Sequence, residues 1–183
     1  MNSNQYTESW MILRNTIMIV TVASFFLTVF PQPTEAQTLM SFGDSSGWVE
    51  SFDEAVAQSE SSGKPIMFVF SGSDWCSYCQ LLEHEVLRTP EFETWSSAKV
   101  IKVMVDFPQY HDLPAEIAQQ NENLKNHFST LLKGYPTILL VRADGSVMGR
   151  TGYVAGGPMP WITKADAILQ QTQRLAGTSN HSH

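Results

Sequence analysis

Cys76 and Cys79 are the only cysteines in the 183-residue chain, and they stand three residues apart in Trp75-Cys76-Ser77-Tyr78-Cys79. An apolar run precedes them and a helical pattern follows. Residues i and i+3 at the start of a helix share one face, close enough for the ~4.4 to 6.8 Å between Cα atoms that a disulfide spans. Such a pair opens and closes without breaking the backbone. A thiol at a helix N-terminus also faces unpaired amides and the positive end of the dipole, which stabilise the thiolate. Cys76 is therefore the candidate nucleophile. Cys79, one turn deeper, is the candidate resolving thiol, which attacks a mixed disulfide on Cys76 and frees the partner in reduced form.

Two plainer uses of the cysteines compete with this reading. A purely structural bridge gains little, because two intervening residues hardly restrict the unfolded chain and stabilisation grows with loop length. A zinc site needs about four ligands. Beyond the two cysteines the chain supplies only His84, His111, His127, His181 and His183, with no second CxxC and no HxxxH. Redox chemistry is the stronger reading, and no metal and no cofactor is expected.

The elements that position the pair follow from the rest of the chain. Its length and its 43% hydrophobic content suit one globular domain with a real core. Residues 1–36 read as a secretory signal: a polar stretch with Arg14, an apolar run from Thr16 to Phe30, then Pro31-Gln32-Pro33-Thr34-Glu35-Ala36. The run is shorter than the ~20 residues that span a bilayer, and Thr34-x-Ala36 places small residues where a peptidase would cut. Met11 is an alternative start, and an uncleaved N-terminal anchor is the alternative fate. Residues 37–47 form an extension, 48–176 the folded domain and 177–183 a polar tail expected to be disordered. Without residues 1–36 the chain keeps ten basic and sixteen acidic residues, so nucleic acid is not an expected partner. An exported chain that used disulfides as scaffolding would carry several. One close pair fits exchange chemistry instead.

Helical spacing predicts a helix from Trp48 to Ser62, ended by Gly63. Ile66 to Phe70 is a continuous apolar run, the pattern of a strand buried on both faces in a parallel sheet. Ser71 to Asp74 then forms a loop, Cys79 to Leu87 a helix, and a short second helix ends near Ser96. Val100 to Phe107 predicts a strand with Lys99 and Lys102 at wet positions. An exposed helix is expected over Pro114 to Phe128, a hairpin over Ile138 to Val154 with its turn at Ala143-Asp144-Gly145-Ser146, and a last helix from Trp161 to Ala176. The fold class is α/β, with the dithiol at the carboxyl end of a central strand, where open α/β sheets place their chemistry.

These residues resemble the thioredoxin superfamily, and within it the exported bacterial thioredoxin-like proteins related to the reductase domain of DsbD-type thiol:disulfide interchange proteins. Three features carry the resemblance. They are Phe68-Val69-Phe70 leading through Gly72-Ser73-Asp74 to Trp75-Cys76-Ser77-Tyr78-Cys79; Gly134-Tyr135-Pro136-Thr137 ahead of a strand; and Asp144-Gly145 with Gly152-Tyr153 and Gly156-Gly157-Pro158. The match spans about Trp48 to Leu175. It implies a thioredoxin fold, with a central mixed sheet of about four to five strands flanked by helices. It also implies a cis Pro136 facing the dithiol, a Tyr135 backbone that pairs with extended substrate, Thr137 in the same loop, and Trp75 as an apolar substrate contact. The expected activity is thiol-disulfide exchange on proteins in the cell envelope, as a monomer fed by a membrane-embedded electron donor. A non-catalytic thioredoxin-like binding module or metal-binding adaptor is the alternative.

One position departs from the pattern. Many members carry a buried aspartate six residues before the first cysteine, where this chain has Phe70. Glu83, at i+7 from Cys76 and on the same helix face, is the candidate proton acceptor for Cys79.

Overall fold

The structure, a computed structural model, describes residues 47–179, with side chains described through residue 171. The expected signal segment lies outside the described residues. The elements run β1 (Trp48–Val49), α1 (Phe52–Ser62), β2 (Ile66–Ser71), α2 (Ser77–Leu82), a π-helical segment (Glu83–Leu87) and α3 (Pro90–Lys99). They continue with β3 (Ile101–Asp106), α4 (Ala115–His127), β4 (Thr137–Val141), β5 (Val147–Thr151) and α5 (Pro158–Ser179).

The five strands form one mixed sheet in the order β1-β3-β2-β4-β5. β1, β3 and β2 are parallel, β4 is antiparallel to β2, and β5 closes a hairpin with β4. Strand β2 is central and buried throughout, as its unbroken apolar run requires. Its alternate residues feed two cores. Ile66, Phe68 and Phe70 pack with Phe52, Val56, Leu124 and Phe128, beneath α1 and α4. Met67 and Val69 pack with Leu82, Val86, Phe92 and Trp161, beneath α2, α3 and α5. A three-layer sandwich results, and truncating a side chain such as Phe68 to alanine removes about 3 to 5 kcal/mol from it.

Local chemistry sets the helix limits. Ser51 caps α1 by accepting the Glu54 amide (3.4 Å), and Gly63 ends it at φ 71°, a left-handed conformation that suits glycine. Thr89 caps α3 by accepting the Phe92 amide, with Pro90 in the first turn.

Three expectations need correction. Trp48 and Val49 do not begin the first helix. They form an edge strand in register with Lys102 and Val103. Lys102 is not a wet position either: it is 1% exposed. Its ammonium is paired with Glu93 on α3 and lies over the rings of Trp48 and Phe92, 5.5 and 5.8 Å from their centroids. A buried cation survives only with such compensation. The last helix begins at Pro158, earlier than Trp161, and runs past Ala176 to Ser179.

Candidate active site

Strand β2 delivers the chain to a tight loop, and the loop delivers Cys76 to the threshold of a helix. The amides of Trp75 and Cys76 both donate to Gly72 O, at 3.3 and 2.8 Å. Cys76 is the N-cap of α2, and its Sγ accepts from the Cys79 amide at 3.3 Å. Cys76 and Cys79 are joined as a disulfide with Cα atoms 5.2 Å apart. The pair is therefore in its oxidised form, under a thin cover: Cys76 is 7% exposed and Cys79 3%. On reduction the amide now pointing at Cys76 Sγ would stabilise a thiolate there, while Cys79 stays buried in the first turn of α2.

Two aromatic pairs flank the dithiol. Trp75 donates its indole N–H to Phe107 O (2.7 Å) and meets the edge of Tyr135, 5.6 Å between centroids at 82°. Gly72 makes room for this arrangement, since a Cβ there would overlap the indole. Tyr78, 60% exposed, lies 6.0 Å from the Tyr153 ring, and Tyr153 donates its hydroxyl to Glu85 (2.6 Å). That hydrogen bond, followed by burial and the Glu85 charge, raises the Tyr153 pKa.

The Tyr135-Pro136 bond is cis. Thr137 begins β4 opposite Phe70 and donates its hydroxyl to Gly134 O (2.7 Å), which closes the loop on itself. The Tyr135 amide and carbonyl make no hydrogen bond among the described residues. A segment whose backbone groups are unbonded offers them to another, extended chain.

Two acids that the sequence did not single out hold the loop in place. Asp106, at the end of β3, accepts the Ser73 amide (2.9 Å) and the Ser73 hydroxyl, and its carbonyl takes the Asn121 side chain. Asp74 accepts the amides of Gln109 and Tyr110 and faces His111 Nδ1 at 3.1 Å. Burial alone would raise the Asp74 pKa, but the two amides and then His111 outweigh it, and the net shift is downward. Acid residues flanking a loop are a faint signal in sequence, because turn residues of this type are common for local reasons.

Glu83 caps α2 where the helix widens into its π turn, and the Arg88 amide bonds Glu83 O five residues back. This widening sets Arg88 beside Glu83, and its Nε and Nη2 both donate to Glu83 Oε1, at 3.0 and 2.6 Å. Glu83 is partly exposed. The structure thus gives its carboxylate an arginine partner that helical spacing alone does not reveal. The position of the family's buried acid, Phe70, is filled by a fully buried ring. Among the described residues, no group of three or more His, Cys, Asp or Glu is placed to hold a metal ion.

With this geometry in place, the family is decided by a match of residues 52–160 to the thioredoxin-like domain model. The chain belongs to the thioredoxin-like family. A relative, the disulfide bond reductase DsbH of Chlamydia pneumoniae, is 33% identical over 66% of this chain and 72% of its own length. A solved structure titled DsbH oxidoreductase superposes with a TM-score of 0.63 at 30% identity, covering 81% of this chain and 96% of that one. A thioredoxin from Thermus thermophilus shares the fold, with a TM-score of 0.52 at 21% identity over 72% of this chain and 93% of its own. In the thioredoxin-like frame, the arrangement around Cys76 is a thiol-disulfide exchange centre.

Proposed function

We propose that this thiol-disulfide oxidoreductase works as a reductase of protein disulfides outside the cytoplasm, exported by residues 1–36 and recharged by a membrane-embedded electron donor. The observation that carries the reading is a bonded Cys76-Cys79 pair at a helix start, beside a cis-proline loop whose backbone is free to pair. No described helix is long and apolar enough to cross a membrane. The protein acts as a monomer on extended segments of its substrates.

In the reduced protein, the Cys76 thiolate attacks one sulfur of a substrate disulfide. A bond forms from Cys76 Sγ to that sulfur, the substrate bond breaks, and the departing sulfur takes up a proton. The Cys79 thiolate then attacks Cys76 Sγ, re-forms the internal disulfide and releases the second substrate thiol, which is protonated in turn. Two electrons pass to the substrate, and the donor's dithiol returns them to Cys76-Cys79. Trp75 offers its exposed edge to apolar substrate groups, while Tyr135, held by Pro136 and Thr137, pairs with the substrate backbone. Glu83 takes the proton of Cys79, in competition with its Arg88 partner.

The test is reduction of a protein disulfide, such as insulin, with a dithiol as electron source, together with the equilibrium potential of the pair against glutathione. A potential on the reducing side is expected, where ~30 mV corresponds to about 1.4 kcal/mol. No reduction, with Cys76 unreactive at neutral pH, would assign the chain to the non-catalytic modules. A strongly oxidising potential would reverse the direction of electron flow.

A further inference from the structure

Beside the cis-proline loop, toward β5 and α5, the surface opens into a cleft of about 390 Å³. Its walls include Lys133, Arg150 and Lys164 and no acidic residue. Three of the chain's eleven Lys and Arg meet there, on a protein with eighteen acids and a net charge of −7. None of the three has an ion-pair partner among the described residues. Arg150 donates one N–H to Leu131 O (2.8 Å), which anchors its guanidinium, and both lysines are exposed with no hydrogen bond among the described residues. Like charges gathered without counter-ions repel one another, and an acidic chain has ample means to neutralise them. The cleft therefore offers a local positive field on a negative molecule.

The same cleft is lined by Tyr135, Pro136 and Thr137. A strand seated on Tyr135 advances ~3.3 Å per residue and turns alternate side chains to one side, so its neighbouring residues pass the three cations. Resting on the reductase reading above, we propose that this cleft selects substrates carrying an aspartate or glutamate within a few residues of the cysteine under attack. The guanidinium supplies a fork suited to a carboxylate, and the two flexible ammoniums adapt to its exact height on the strand. Because the attraction acts on encounter, it sets kcat/KM and weakens with salt.

The experiment uses pre-reduced protein in single turnover with two disulfide peptides of one sequence, differing only in a Glu or a Lys beside the cysteine. Hydroxyethyl disulfide, uncharged, reports the dithiol itself. The Glu peptide is expected to react roughly tenfold faster than the Lys peptide at low salt, the combined effect of a few surface-strength pairs. The ratio falls toward one in high salt. It inverts in Lys133→Glu/Lys164→Glu and is intermediate in Lys133→Gln/Lys164→Gln. Equal rates for the two peptides, with hydroxyethyl disulfide still reduced, overturn the selectivity and leave the reductase reading standing. A wild-type preference unchanged in both double variants, or unmoved by salt, also overturns the assignment to this cleft. Failure to reduce any of the three disulfides overturns the reductase reading itself.

Discussion

Trp75 and Tyr135 meet edge to face, although one precedes Cys76 and the other precedes the cis proline. A ring pair of this kind contributes about 0.5 to 1.5 kcal/mol beyond burial. It ties the dithiol loop to the loop proposed to receive the substrate backbone, and Phe107 braces both: its carbonyl takes the Trp75 indole and its ring lies 5.7 Å from that of Tyr135.

That bracing makes Gly72 a sensitive position. Gly72→Ala pushes a Cβ into the indole, and the ring must swing away from Phe107 O and Tyr135. Overpacking of this sort costs about 1 to 3 kcal/mol. A lower urea midpoint is expected, together with a larger fall in kcat/KM for peptide disulfides than for hydroxyethyl disulfide. A variant with wild-type stability and peptide kinetics would detach Trp75 from substrate binding.

The order of attack is read from trapping. Cys76→Ser abolishes reduction of protein disulfides, whereas Cys79→Ser completes one attack and accumulates mixed disulfides through Cys76. Non-reducing electrophoresis and mass spectrometry locate the linked cysteine. Mixed disulfides through Cys79 in the Cys76→Ser protein would exchange the two roles.

For Glu83 the outcome rests on the pH profile. Glu83→Gln should slow release of the mixed disulfide roughly 10²-fold at neutral pH, the low end of general-base effects. The deficit closes as pH rises and Cys79 ionises unaided. Single-turnover rates from about pH 6 to 9 resolve this, with Glu91→Gln as the reference. Glu85 is unsuitable there because it holds the Tyr153 hydroxyl. Equal rates at every pH would leave Glu83 with its Arg88 pairing alone.

Asp74 carries an acid-side signature. Its folded pKa lies below 3.8, so its contribution to stability is present above that value and is lost as pH falls through the folded pKa. Asp74→Asn should therefore be less stable than wild type near neutrality, with the gap closing below about pH 4. Thermal unfolding from about pH 3 to 7 checks this. A gap that stays constant down to pH 3 would place the effect in packing and not in charge.

The parts of the molecule that follow from local patterns were readable in advance. The all-apolar β2 and the CxxC behind it needed only periodicity and spacing, and the Tyr135-Pro136 conformation came from likeness to a family. What escaped depends on distant partners. Lys102 looks like a solvent-facing residue until Glu93, a helix away, is known to sit above it. Trp48-Val49 is too short to show a period, so its place at the sheet edge is decided by β3. Asp74 and Asp106 act across loops that meet only in the folded chain. The Glu83-Arg88 pair needs a turn wider than the one assumed when residues are counted along an α-helix.

That wide turn also bears on which chain lengths the fold accepts. A regular α-helix advances each side chain by about 100°, so losing one residue inside α1 would misorient every later position on its buried face. Between Glu83 and Leu87 the helix already holds a locally slack register, closed by a bond across five residues instead of four. Removing one residue there tightens the turn to α-helical and leaves Cys76 and Cys79 on their strand-anchored side, with Phe92 and Trp95 still facing Trp161 on the other. The casualty is the Glu83-Arg88 pairing. Length variation among relatives in this helix is thus expected to fall at the π turn, one residue at a time, with the dithiol undisturbed.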